Sequence, residues 1–247
     1  GDPGVGKTTI AKQMTDVMLQ AAGLDNNERL RYTKEMDAKH WDGFKSYMNV
    51  ITLDDVGNAV KDLLNYNPGE MIIKLGNMTP FSPPMAAVED KAKTFAEPEV
   101  VNITSNFGDL KAREMSNCPA SLTRRPNFNV RVSVKSDFTK TNGNKKGLDS
   151  AKANEYAASR PIPVPVDDVW RCTVEIAQDA SNVSILPPYE VVVDDEGFEL
   201  RDITAPELAR FLIKEFIKWR DSQNTTLERV KNKGKNTVCG VSGCKIH

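Results

Sequence analysis

The residues Gly1, Asp2, Pro3, Gly4, Val5, Gly6, Lys7, Thr8 and Thr9 read GDPGVGKTT and fit the pattern G-x-x-x-x-G-K-T. In such a loop the glycines let backbone N–H groups close around phosphates. Lys7 then reaches the β- and γ-phosphates, and the Thr8 hydroxyl ligates Mg²⁺. The expected ligands are ATP or another nucleoside triphosphate together with Mg²⁺. A loop of this kind that binds nucleotide without turning it over is an open alternative.

Hydrolysis asks for more than a phosphate cradle. A carboxylate at the tip of a neighbouring strand must hold the Mg²⁺ shell, and a second must polarise the attacking water. ITLDD supplies both, with Asp54 assigned to the metal and Asp55 to the water, although the two roles are exchangeable. VVNITSN ends another apolar strand in polar residues, and its Asn106 is placed to orient water beside the γ-phosphate. Read alone, such a cluster is more often a simple strand-end turn. Arg124 and Arg125, in LTRRPNF, are either a solvated basic turn or the source of an arginine that neutralises charge on the transferring phosphoryl group, supplied from a neighbouring subunit.

Other candidates carry less. Cys239, Cys244 and His247 offer three ligands where zinc wants four, so a zinc site is a minor expectation beside reduced cysteines in a tail. His40 stands alone and reads as packing or surface, with Trp41 and Phe44 in the core. Asp194-Asp195 in VVVDDEG reads as a turn between strands.

These side chains need elements to hold them. Thr8 to Ala22 places Ile10, Met14, Val17 and Met18 at helical spacing, and Gly23 stops the helix. Tyr47 to Leu53 reads as a buried strand, followed by a helix over Asn58 to Tyr66, a turn at Asn67-Pro68-Gly69, a strand or helix start at Met71 to Leu75 and a rigid loop from Pro80 to Pro84. Val100 to Thr104 and Phe128 to Val134 read as strands. Lys135 to Ser159 is rich in Lys, Asn, Gly, Asp and Ser, and its composition predicts an exposed, mobile insertion. PIPVPVDDVWRCTVEI and YEVVVDDEGFELRDI follow as strands. A helix then starts in a Thr204–Glu207 capping box, with Leu208, Phe211, Leu212, Phe216 and Trp219 as its apolar stripe.

The expected organisation is α/β: a P-loop NTPase core over 1–134, a flexible insertion over 135–160, a β/α extension over 161–231 packed on the core, and a basic tail over 232–247. The strand expected ahead of the loop is not in this sequence, so a central strand of the parallel sheet should be missing and activity reduced.

The 247 residues include 39% hydrophobic types, enough for a full core, and carry a net charge of −1, so any nucleic-acid contact must come from local clusters. No apolar run is long enough to span a bilayer. Four cysteines, unevenly spaced, predict a reducing compartment rather than a disulfide framework.

Taken in order, GDPGVGKT, ITLDD, NITSN and LTRRPNF resemble the superfamily 3 helicases of picornavirus-like positive-strand RNA viruses, with wording closer to insect and marine picorna-like viruses than to mammalian enteroviruses. MIIKLGNMTPFSP and VEDKAK are similar to that family's extra motif. The resemblance covers Gly1 to about Val134. It implies an AAA+-like parallel sheet flanked by helices and a homo-oligomeric, hexameric ring with nucleotide at subunit boundaries and RNA near the pore. By position it implies nucleotide and metal roles for Lys7, Thr8, Asp54 and Asp55, a sensor role for Asn106, and an arginine finger at Arg124 or Arg125. Lys74, Lys91 and Lys93 become RNA candidates, against their reading as plain surface lysines. Host cytoplasm is the implied setting, at membrane-associated complexes with other viral replication proteins, with any membrane anchor outside this sequence. The alternatives are a nucleotide-binding RNA chaperone or assembly scaffold and a cellular AAA+ ATPase or helicase loader.

Overall fold

The computed structural model describes residues 1–59, 67–77, 81–87, 89, 91, 93–142, 145–160, 166–179 and 184–236. The loop runs into α1 (Lys7–Ala21), which buries Ile10, Met14, Thr15, Val17 and Leu19. Leu19 is fully buried, and Met18 is partly buried beside it. Gly23 ends the helix with φ of 68°, a left-handed conformation that glycine adopts without steric cost.

A parallel sheet of order β1-β2-β3 follows, made of β1 (Arg31–Lys34), β2 (Val50–Leu53) and β3 (Val100–Ile103). In this ladder Leu53 lies opposite Lys34 on one side and Ile103 on the other. β1 carries little strand signal in the sequence because RYTK is mostly polar. Its Lys34 is nevertheless buried, with Nζ donating to the carbonyls of Glu35 and Ala38 at 2.6 and 2.5 Å, and burial lowers its pKa.

Met71 to Leu75 belongs to a helix, α2 (Pro68–Leu75), whose Asn67 cap accepts a hydrogen bond from Gly69 N. The helix expected over Asn58 to Tyr66 lies largely outside the described residues. Trp41 and Phe44 are core residues as expected, 1% and 0% exposed, and they pack with Tyr32, Ile51, Leu53 and Ile72 beneath the acidic strand. Two short helices, α3 (Ala112–Met115) and α4 (Pro119–Thr123), close that core.

The expected strand at Phe128 to Val134 forms as β4 (Asn129–Val134) but does not join the parallel sheet. The segment read as a mobile insertion is built of regular elements. It holds an antiparallel hairpin, β5 (Thr139–Asn142) with β6 (Lys145–Leu148), and then α5 (Ser150–Ser159). Leu148 packs into the core beside the phosphate loop. Polar composition misled because the hairpin is held by backbone pairing and the one apolar residue Leu148. Next comes β7 (Trp170–Ala177), which pairs antiparallel with β4, with β8 (Tyr189–Val191) and with the short β9 (Ile203–Thr204). Residues 161–165 of the PIPVPV stretch lie outside the described residues. The DDEG turn is as expected, with Asp194 N donating to Phe198 O and Gly197 at φ of 87°.

The chain ends in α6 (Ala205–Asn236). Leu208 and Phe216 are buried as expected, whereas Trp219 is 41% exposed. Arg220 fastens the helix to the end of α1 through Ala22 O at 3.2 Å, and to Glu99 at 3.5 Å. Among the described residues, β3 and β4 each leave one edge unpaired. Both border a groove of about 1190 Å³ whose apolar lining includes Ile10, Met14, Val101 and Val130.

The capping box at the start of α6 forms in both directions. The backbone N–H and hydroxyl of Thr204 each donate to Glu207 at 2.7 Å, and Glu207 N donates back to the Thr204 hydroxyl at 3.3 Å. The first of these bonds, then the second, holds the Glu207 carboxyl below its ordinary value of 4.5. Its stabilisation is therefore complete above pH 4.5 and is lost as pH falls through the lower folded-state value. Urea titrations at stepped acidic pH should show a shallower loss of stability for Glu207→Gln than for the parent chain; identical slopes would remove the box from the account.

Candidate nucleotide site

The loop, the tip of β2 and the tip of β3 meet at one end of the parallel sheet. Gly4 and Gly6 take φ of 78° and 86°, so successive amides can turn to one side as an anion nest requires. Lys7 Nζ donates to Asn106 Oδ1 at 2.6 Å, and to the carbonyls of Gly1 at 3.2 Å and Asp2 at 3.0 Å. The first and third motifs, 99 residues apart, are therefore in direct contact.

The Thr8 hydroxyl donates to Asp54 Oδ1 at 3.2 Å. Hydroxyl and carboxylate oxygens are the hard ligands Mg²⁺ takes, and their closeness fits a shared metal. Asp55 sits at φ of 54° and is exposed, and among the described residues its carboxylate makes no hydrogen bond. The two acids are thus differentiated: Asp54 is tied to the loop threonine, and Asp55 is turned towards solvent.

Two further residues complete the site, and the motifs did not single them out. Thr104 is 5% exposed; its hydroxyl donates to Asp54 Oδ1 and accepts from Asp55 N at 2.9 Å. It orients one acid and fixes the strained backbone of the next. Asn58 accepts from Asn106 Nδ2 at 2.9 Å, so Asn106 bridges Lys7 and the loop after the acidic pair. The only sequence signal for either was a polar side chain beside a motif residue.

Beneath the site, Thr15 of α1 and Asn102 of β3 hydrogen-bond through their side chains, with Asn102 Nδ2 donating at 2.9 Å. This ties the loop helix to the asparagine strand.

The twin arginines differ. Arg124 is exposed. Arg125 packs its stem against Gly76, where an added Cβ would stand 3.2 Å from the Arg125 Cβ, and its Nε is buried. Among the described residues neither forms a hydrogen bond or ion pair with Gly1–Thr8. Lys74 pairs with Glu70 at 2.6 Å and lies over Phe81, whereas Lys91 and Lys93 are exposed. Cys239, Cys244 and His247 lie outside the described residues. Among the described residues no cluster of His, Cys, Asp and Glu forms a metal site, and no helix is long and apolar enough to cross a membrane.

A parallel sheet flanked by helices, with a glycine loop at its end facing a carboxylate and an asparagine, defines a P-loop NTPase fold. Residues 1–107 match the RNA helicase family, a span that takes in the first three motifs and ends just past Asn106. The chain is 29% identical to a replicase polyprotein of acute bee paralysis virus over 147 residues, 57% of this chain and 8% of that protein. It is 33% identical to the genome polyprotein of rice tungro spherical virus over 149 residues, 58% of this chain and 4% of that protein. The chain thus spans less than a tenth of the relatives it matches, and its first 107 residues are similar to the RNA helicase family, in line with the resemblance of the motifs.

Replacing Thr104 by Val should strand the Asp55 N–H and one acceptor position of Asp54, costing about 1–3 kcal/mol of folding stability. Ser, which keeps the hydroxyl, should recover most of it. Chemical denaturation midpoints for the two variants provide the check, and a larger loss for Ser than for Val would mean that the methyl packing, not the hydroxyl, matters.

Proposed function

We propose that this chain is the NTP-hydrolysing segment of a viral RNA helicase acting in genome replication. The observation that carries the reading is the meeting of Lys7, Thr8, Asp54 and Asn106 at one sheet end. Mg²⁺, held by Thr8 and Asp54, would supply charge neutralisation at the β/γ-phosphates. Lys7 leaves Asn106 and the two loop carbonyls to bind the γ-phosphate. Asp55 polarises the attacking water, and Asn106 positions it. Oxygen of that water bonds to the γ-phosphorus as the bond to the bridging oxygen breaks, and the water's proton passes to Asp55 or the released phosphate. Asp54 is assigned to metal and Asp55 to water because only Asp54 is joined to Thr8.

Charge developing on the phosphoryl group is met by an arginine from a neighbouring copy in a ring. Arg124 suits this role because it is exposed, while Arg125 is committed to packing on α2. RNA contacts fall to Lys91 and Lys93, with Lys74 partly occupied by Glu70. The setting is replication in host cytoplasm, in keeping with the polyprotein relatives.

Lys7→Ala should abolish phosphate release from ATP, and retained turnover would sink the assignment. Arg124→Ala should lower turnover of the assembled protein at unchanged melting temperature, and Arg125→Ala should lower the melting temperature. The reverse pattern would exchange their roles. An unwinding assay comparing ATP with a non-hydrolysable analogue separates the helicase reading from the chaperone one: unwinding or annealing that ignores ATP would favour the chaperone.

A further inference from the structure

The amides that face phosphate are only half of a phosphate loop; its carbonyls point the other way and must be satisfied from behind. Here that backing comes from residues beyond the family match. Leu148 N, at the end of β6, donates to Gly4 O at 2.9 Å. Trp170 Nε1, at the start of β7, donates to Val5 O at 2.7 Å in a buried contact. The indole is 1% exposed and lies against Gly6, where an added Cβ would stand 3.2 Å from Trp170 Cζ2 and 3.1 Å from Leu148 Cδ2. An added Cβ on Gly147 would in turn stand 3.2 Å from Gly4 O, so two glycines permit the close approach of the two backbones.

A trans peptide points its C=O and the following N–H in opposite directions, and the chain has no cis bonds among the described residues. Holding Gly4 O from behind therefore aims Val5 N–H forward, and holding Val5 O aims Gly6 N–H forward. We infer that Trp170, with the Leu148 backbone, is a positioning residue for nucleotide: it fixes the direction of two phosphate-facing amides from the C-terminal sheet. The inference rests on the reading of the loop as a nucleotide site, and it adds a residue that touches no ligand.

Calorimetric titration of the full chain with Mg·ATP tests it, using Trp170→Phe and, as a control, Trp41→Phe, which alters an equally buried indole in the other core cluster. Loss of one aligned hydrogen bond predicts a rise in ATP Kd of about fivefold for Trp170→Phe. Trp41→Phe should stay within about twofold of the parent even where its melting temperature falls. Equal Kd values for the parent and Trp170→Phe, or Kd rises in both variants that track their melting temperatures, would overturn the inference and leave the nucleotide site standing. Failure of the parent to bind ATP would remove the nucleotide reading and the inference together. Should Trp170→Phe not fold, indole ¹⁵N–H resonances of the unaltered chain decide: ATP must shift the Trp170 signal while leaving Trp219 in place, and an unmoved Trp170 signal overturns the proposal.

Discussion

Leu53 lies opposite Ile103 in the parallel ladder, and that register decides which polar residues meet where the strands end. It sets Asp54 beside Thr104, brings Asp55 N to the same hydroxyl, and leaves Asn106 within reach of Lys7. A slip of one residue would turn every side chain of β3 to the opposite face. Asn102 would leave Thr15, and the asparagine would no longer face the lysine. The apolar core under β2, with Trp41 and Phe44 fully buried, makes such a slip expensive. Chemistry at the site is thus maintained by packing several residues away.

The phosphate loop is gripped from two sides by different parts of the chain. In front, Lys7 lies against Asn106 and the loop's own carbonyls. Behind, the hairpin and β7 take the carbonyls of Gly4 and Val5. Gln13 of α1 adds a third tie through Asp167 at 2.6 Å, just before β7. Residues after 107 are therefore part of the site's framework, although the family likeness is carried by residues before it.

The motifs were legible because phosphate chemistry demands particular side chains at fixed places, and Lys7, Thr8, Asp54 and Asn106 do come together. The capping box and the DDEG turn were legible because each is settled by a few adjacent residues. What escaped depended on distant partners. RYTK becomes a strand because β2 offers it a parallel edge, and buried Lys34 has carbonyls of the following residues at its ammonium. The hairpin was hidden by its polar composition, since its stability lies in backbone pairing and in Leu148. Thr104 and Trp170 act by hydrogen bonds to residues 50 and 165 positions away, which no local pattern encodes.

The closing helix has a mechanical consequence. Its 32 residues span about 48 Å at 1.5 Å per residue, and the anchorage at Arg220 falls midway. The half before that point packs on the core, while residues 221–229 are mostly exposed. About 24 Å of helix therefore extends from a pivot that rests on the end of α1, the helix that begins at the phosphate-binding lysine. At that length, a tilt of about 10° at Arg220 would carry the far end through about 4 Å.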